Sequence, residues 1–402
     1  MKVEYFSIAV RNITKKGIRS WLTMIGIFIG IAAVVSLISL GQGMEDAIKS
    51  QFNSMGTDVI IVLPGAGFQS IGSSKLTKHD EDLIKGVRGV ENEAPFNFRL
   101  SKITYQKEVS YTIVIGTPTD DRFKVIEGMN TFKTLEGRNR FYPADKYSAA
   151  VGYTLAYGDF IKNKNVHIND KIMIDDTEFK VVGIMGKVGN PDDDKNIYIP
   201  LETAKDLFRD DGYDQMIVKV QSGFSPSSVA EDIKYRLRKD RNQKEGEEDF
   251  NVQTSEQLLE SVGGILNTVQ AVLVGIALIS LFVGGVGIMN TMYTSVIERT
   301  SEIGVMKAIG AKNGDILSLF LIESGILGMV GGIIGVIIGL GLSKTVEYIG
   351  QTSMGNDLLR ANTSPYLIFG ALAFSFSVGC ISGVLPAMQA AKLKPVEALR
   401  YE

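Results

Sequence analysis

Four windows without charge constrain this chain more than any other feature. The first runs from Ser20 to Met44 and the second from Ser261 to Ile297. The third runs from Ile316 to Ser343 with Glu323 as its one interruption, and the fourth from Ala361 to Ala391 with its apolar centre at Tyr366–Leu385. Each exceeds the roughly 20 helical residues that cross about 30 Å of hydrocarbon. A soluble domain has little use for four such runs, so they are read as membrane-spanning helices.

Composition closes other routes. Of 402 residues, 45% are apolar and 22% charged, which excludes a disordered chain. One cysteine, Cys380, permits neither an internal disulfide framework nor a Cys-rich metal centre. Two histidines, His79 and His167, leave no basis for a multi-histidine metal site or a supported Ser-His-Asp triad. A net charge of −3 gives no nucleic-acid footprint. Asp192-Asp193-Asp194 are contiguous, whereas a calcium loop needs spaced ligands, so a solvated acidic turn is expected. Gly186-Lys187 is followed by Val188, not Ser or Thr, so this is no Walker A loop. The reading is therefore of a chain with no catalytic residue, no metal site and no bound cofactor.

Orientation follows from lysine and arginine in the short flanks. Lys2, Arg11, Lys15, Lys16 and Arg19 precede the first window; Arg299, Lys307 and Lys312 lie between the second and third; Lys392, Lys394 and Arg400 follow the fourth. The connection between the third and fourth carries only Lys344 and Arg360. Both termini and the 294–315 connection are thus expected in the cytoplasm, and the mildly acidic 44–260 segment outside it. The first apolar run is longer than a signal-peptide core and no small-x-small cleavage site follows at once, so it is read as an uncleaved span. Spans are placed at 20–43, 265–293, 316–343 and 365–385, with a short external loop at 344–364 and a cytoplasmic tail at 386–402. Val3, Phe6, Val10 and Ile13 share one face, which predicts an amphipathic helix over 1–19 on the cytoplasmic membrane surface.

Two helices are expected to outrun the bilayer. Met44, Ala47, Ile48, Gln51, Phe52 and Met55 continue the first at helical spacing, and Leu258, Leu259, Val262, Ile265, Leu266 and Val269 precede the second. Thr254 with Gln257 reads as a capping box. A helix from there to about Tyr293 is about 60 Å long, so 44–55 and 254–264 are read as a stalk. Small residues mark close helix approach: Gly26 and Gly30 in the first span, and Gly328/Gly332 with Gly331/Gly335/Gly339 in the third. Glu323, the one acidic residue within a span, is costly there and is expected to pair with a helix partner or a basic group.

The external segment shows strand signals at Asp58–Pro64, Lys102–Tyr105, Val109–Ile115, Gln215–Val220 and Phe250–Gln253, and helix signals at Thr77–Val87 and Ser225–Asp240. That is an α+β layer, about 58–118 and 210–253, split by an insertion at about 119–209. Strands at Lys171–Ile174, Glu178–Ile184 and Asn196–Ile199 make the insertion β-rich. The fold expected is four membrane helices plus an α+β extracytoplasmic domain with an inserted β-rich subdomain.

The second connection reads Ile297-Glu298-Arg299-Thr300-Ser301-Glu302-Ile303-Gly304-Val305-Met306-Lys307-Ala308-Ile309-Gly310-Ala311-Lys312. It resembles the signature of the MacB/FtsX/LolC–LolE family of ABC transporter permeases, the four-helix mechanotransmission type. Arg19 to Ile27, Gly152 with Leu155-Ala156, Phe179 to Ile184, and the tail from Leu385-Pro386-Ala387 to Pro395-Val396-Glu397-Ala398-Leu399-Arg400-Tyr401-Glu402 are similar to family segments as well, so the resemblance spans the chain.

The resemblance implies a coupling helix at about Glu298–Lys312 that docks on a separate LolD/MacB-type ATPase, two copies per assembly, where ATP and Mg bind. Ile303, Met306 and Ile309–Gly310, with Ala308 and Ala311 beside them, would bury apolar surface against it. Glu298, Arg299, Glu302 and Lys307 would form rim pairs, and Gly304 and Gly310 would allow close approach. The expected function is a permease that transmits ATPase motion to external work on a lipophilic, lipoprotein or peptide substrate. An FtsX-like regulator signalling to an external partner is the alternative. Expected partners are a second copy or a related permease, and an external adaptor or substrate protein.

Overall fold

The computed structural model describes residues 18–65, 75–129, 132–161, 164–353 and 359–399. The surface helix expected over 1–19 falls almost wholly outside these, as does the terminal Arg400-Tyr401-Glu402. The chain divides into two compact units, one built from residues up to Glu45, Ile265–Gly350 and those from Leu359 onward, the other from Asp46–Gly264 and Gln351–Leu358.

The first unit is a bundle of four long helices, α1 (Ile18–Met55), α6 (Ser255–Glu298), α8 (Asn313–Ser353) and α9 (Pro365–Lys392), with a short α7 (Thr300–Ala308) between α6 and α8 and α10 (Pro395–Leu399) at the end. α1 and α6 run on into the second unit. All four long helices have the length and apolarity to span a membrane. α6 holds 44 residues, about 66 Å of helix.

Glycine sets the crossings. Gly26 of α1 faces Gly284 of α6, and Gly30 faces Leu281. Gly335 and Gly339 of α8 meet Ile31 and Ala32 of α1, while Gly328 meets Gly379 of α9 and Gly332 meets Ser375. Gly331 is buried beside them. Two rows on α8 thus serve two partners, which bulkier side chains would hold apart.

Among the described residues the second unit contains ten strands. β1 (Val59–Pro64) lies between β10 (Phe250–Thr254) and β9 (Gln215–Val220), all antiparallel. Helices α2 (Lys78–Lys85) and α5 (Pro226–Asp240) cover this sheet, burying Ile84, Val229, Ile233 and Leu237 against Ile60, Val62 and Val218. Thr77 opens α2 with a reciprocal cap to Asp80, and Pro226 stands in the first turn of α5.

The expectation for the first hairpin strand, Lys102–Tyr105, is too short. β2 runs Val90–Tyr105 and pairs β9 over its first half and β3 (Glu108–Thr117) over its second. Glu91, Asn92, Glu93, Pro95 and Asn97 hide its first half from an apolar pattern. Pro95 is tolerated because only β9 pairs with β2 at that level.

The strands of the insertion do not close by themselves; they complete a ring with β2 and β3, which the sequence reading assigns to the 58–118 layer. β2 pairs β3, β3 pairs β8 (Ile197–Pro200), β8 pairs β5 (Ser148–Val151), β5 pairs β7 (Thr177–Met185), β7 pairs β6 (Lys171–Ile174), and β6 returns to β2. A closed ring leaves no open edge within it; β4 (Thr134–Gly137) attaches outside along β7. Ile103, Val114, Ala149, Val151, Ile172, Phe179, Val181 and Ile197 fill the interior. Two short helices, α3 (Tyr153–Tyr157) and α4 (Leu201–Phe208), complete it. The acidic turn at Asp192–Asp194 is solvated only in part: Asp194 is buried and accepts the Val188 and Gly189 backbone N–H groups at 2.6 and 3.0 Å.

Candidate functional site: the helix between the second and third spans

The connection between α6 and α8 is folded rather than loose. Thr300 Oγ1 lies 3.1 and 2.9 Å from the Val296 and Ile297 carbonyls, so its one hydroxyl proton is shared between two acceptors at the end of α6. α7 then turns away. It stops at Gly310, whose φ of 105° favours glycine. The Ala311 N–H reaches the Met306 carbonyl at 3.0 Å and the Gly310 N–H the Lys307 carbonyl at 3.1 Å, a Schellman closure. The Asp315 carboxylate accepts the Lys312 backbone N–H at 2.9 Å and opens α8.

α7 has two distinct faces. Thr300, Ile303 and Gly304 are buried, and the fully buried Ile303 belongs to an apolar cluster that also holds Val296, Ile316, Phe320, Ala387, Ala390 and Ala391. Met306 and Ala311 pack half-buried on the same cluster, and α10 lies against α7 with Ala398 buried. On the other side, Glu298, Ser301, Glu302, Val305, Ala308, Ile309 and Lys312 are exposed. Their spacing of three and four residues draws one stripe along a helix. Val305 is 48% and Ile309 81% exposed, an unusual cost for β-branched apolar groups in water.

The charged residues of this helix divide in the same way. Arg299 Nε donates to Glu302 at 2.9 Å, while its Nη1 reaches Glu323 of α8 at 3.1 Å, and its guanidinium lies 5.6 Å above the Phe320 ring. Glu323 is 1% exposed. Lys307 Nζ donates to the Ala391 and Leu393 carbonyls at 2.6 and 2.7 Å, capping the C-terminus of α9.

Measured against the sequence reading, Glu298, Glu302, Ala308 and Gly310 lie outward, together with Ile309. Ile303 and Gly304, expected to meet another protein, point into their own bundle, because Ile303 falls one residue off the outward stripe. Arg299 and Lys307, expected as rim charges, are engaged within the chain. Sequence reasoning passed over Ser301 and Val305. The signal was present, since both stand at helical intervals from Ile309.

Residues 20–235 match the family model of the MacB-like periplasmic core domain. Residues 274–395 match that of the FtsX-like permease C-terminal region. The ABC transporter permease MJ1507 of Methanocaldococcus jannaschii is 39% identical, covering 100% of this chain and 99% of its own. The ABC transporter permease YknZ of Bacillus subtilis is 30% identical with the same coverage, 100% and 99%. The macrolide export ATP-binding/permease protein MacB of Acinetobacter baylyi is 31% identical over 99% of this chain, which spans 60% of that relative's length. Among solved structures, the periplasmic region of MacB from Actinobacillus actinomycetemcomitans is similar over 54% of this chain and 97% of that one, at 14% identity and a TM-score of 0.43.

Proposed function

The chain belongs to the family of ABC transporter permeases that carry a MacB-like periplasmic core domain and an FtsX-like permease region, and from that premise we propose that it couples a separate ATPase to work done outside the cell membrane. It is a four-helix membrane protein with an extracellular domain. Both termini and α7 face the cytoplasm in this reading, in keeping with the lysine and arginine flanks.

The outward stripe of α7 carries the proposal. Val305 and Ile309, rimmed by Glu298, Ser301 and Glu302, offer an apolar centre with a polar edge, the anatomy of a protein interface. The occupant proposed is a LolD/MacB-type ATPase subunit, which supplies ATP and Mg chemistry. The relatives MJ1507 and YknZ are named permeases and the MacB relative an ATP-binding/permease protein, which supports an ATPase as the partner of this family. Closure of two such ATPases pushes α7, and the continuous α1 and α6 carry the displacement outward. The substrate class is lipophilic, lipoprotein or peptide, taken from the outer leaflet or the extracytoplasmic space. Pairing with a second copy, or with a related permease, completes the machine.

The test is co-purification of the full chain with its ATPase. Val305→Asp with Ile309→Asp places two charges at the proposed centre and should abolish binding. Retained binding refutes the docking role. These positions serve better than Gly304, where a larger residue would disturb the chain's own packing.

A further inference from the structure

An ionised carboxylate inside a helical bundle is expensive unless it is paired and hydrogen-bonded. Glu323 is enclosed at 1% exposure on α8, and the Arg299 guanidinium reaches it from the start of α7 at 3.1 Å. The same guanidinium stacks over Phe320, one turn earlier on α8. At the other end of α7, Lys307 reaches the last carbonyls of α9. At the middle of the helix Ile303 is fully buried, in one apolar cluster with Ile316 and Phe320 of α8 and Ala387, Ala390 and Ala391 of α9. α7 is therefore held at its start, centre and end by its own chain, and in each case by α8 or α9.

We infer that Glu323 is a positioning residue that locks α7 to α8, so that a push on α7 is delivered to the third and fourth spans as well as along α6. The argument is geometric. α6 joins α7 through the turn at Arg299, where only a short length of backbone connects them. A force on α7 alone could be absorbed by bending there. The Arg299–Glu323 pair ties that turn to α8, and because Glu323 is buried, separating the two would forfeit a charge-assisted hydrogen bond in a low-dielectric site. Lys307 does the same for α9 by holding its helix terminus. With both contacts made, α7, α8 and α9 move as one body.

This inference rests on the reading that α7 is where the ATPase acts, and the experiment separates the two. The full chain is reconstituted with its ATPase, and two quantities are read: co-purification, and the ratio of ATP hydrolysis by the complex to that of the ATPase alone. Glu323→Gln removes the charge while keeping the shape. It should leave co-purification unchanged and reduce the permease-dependent part of hydrolysis by about fivefold or more, the lower range of a coupling between sites. Glu323→Asp, which keeps the charge, should recover much of that loss. A Glu323→Gln complex that hydrolyses like wild type overturns the inference. So does one that loses ATPase binding in proportion to its loss of hydrolysis, since the pair would then be shaping the docking face instead of relaying force. Failure of the docking reading shows up elsewhere, as retained binding by the Val305→Asp, Ile309→Asp chain.

Discussion

Gly26 of α1 and Gly284 of α6 face each other with no side chain between them; a Cβ added at Gly26 would stand 2.7 Å from the Gly284 Cα. That is closer than real Cβ atoms approach, and the obstacle is backbone, which cannot step aside. The crossing exists because both residues lack a side chain. Gly26→Ala should therefore destabilise the bundle by about 1–3 kcal/mol, the usual cost of overpacking. Gly341→Ala, at an exposed α8 position where an added Cβ meets nothing within 4 Å, should be neutral or gain up to about 1 kcal/mol from helix propensity. Thermal unfolding of the two variants in detergent reads the contrast. Equal effects at both sites would show that the crossing does not depend on Gly26.

The external domain carries two buried carboxylates with opposite pH behaviour. Glu81 accepts hydrogen bonds or ion-pair contacts from Arg122 at 2.7 Å, Lys78 at 2.8 Å and Tyr213 at 2.7 Å. Burial pushes its pKa up, but the hydrogen bonds from Lys78 and Tyr213 and the Arg122 charge outweigh it, so the pKa is lowered. Glu93, on β2, is fully buried; among the described residues neither carboxylate oxygen has a hydrogen bond, and Lys85 Nζ stands 3.8 Å away. Burial raises its pKa above the ordinary 4.5, against a smaller pull from Lys85. A group with a raised folded pKa binds more protons in the native state, so its contribution to stability falls as pH rises from 4.5 through the folded value. Glu93→Gln should remove that loss, making the chain more stable near neutral pH and flattening its stability profile above 4.5. Glu81→Gln should destabilise at neutral pH, because a lowered carboxylate stabilises above 4.5 and loses that contribution as pH falls. Unfolding followed across pH for the two variants checks both signs; a steeper profile for Glu93→Gln would contradict the assignment.

Residue patterns made some parts of this molecule legible and concealed others. The four spans were readable because an apolar run long enough for a bilayer has few other uses, and the Thr254–Gln257 cap because a Ser/Thr and Gln three residues apart before an apolar run have a specific task. Regular strands such as Gln215–Val220 and Lys171–Ile174 emerge at the expected bounds. By contrast, β5 is Ser-Ala-Ala-Val, too small and too neutral to announce a strand, yet wholly buried in the ring where small side chains fit. The closure of β6 onto β2 joins residues some seventy positions apart, Ile103 with Ile174 and Thr104 with Met173, and no local pattern encodes it. For the helix between α6 and α8, the composition pointed to an interface but not to its face. That depended on where α8, α9 and α10 pack, and their contacts turned Ile303 and Lys307 inward.

The cap at the head of α6 makes its own prediction. The Thr254 N–H donates to Gln257 Oε1 at 3.0 Å, and Thr254 Oγ1 accepts the Gln257 N–H at 3.1 Å. Thr254 is buried and sits where β10 hands over to the longest helix in the chain. Thr254→Val keeps the volume and loses the acceptor, so it should cost about 1 kcal/mol. Hydrogen exchange should detect faster exchange confined to the first turn of α6, with the membrane portion unaffected. Unchanged protection at Gln257 would mean that the cap carries no measurable share.

The remaining face of α6 bears on assembly. Ile265, Val269, Val272, Ile276, Ile279, Val283 and Val286 alternate by four and three residues, and each is between 44% and 66% exposed. A strict 3.5-residue repeat drifts off an isolated straight helix but stays on the seam between two supercoiled ones. Lipid imposes no such period, and all seven side chains are β-branched, a stiff surface suited to packing against its equal. If two copies pair through this seam, single cysteines placed along α6 in a Cys380→Ser background should form disulfide-linked dimers in membranes with a 3.5-residue rhythm. Yields should be high at 272, 276, 279 and 283 and low at 274, 278 and 282. Membranes are the right medium, because detergent can dissociate a seam held by side-chain packing alone. A flat yield across all positions, or one peaking at 278 and 282, would place α6 against lipid or another partner and remove the ground for a homodimer built on this helix.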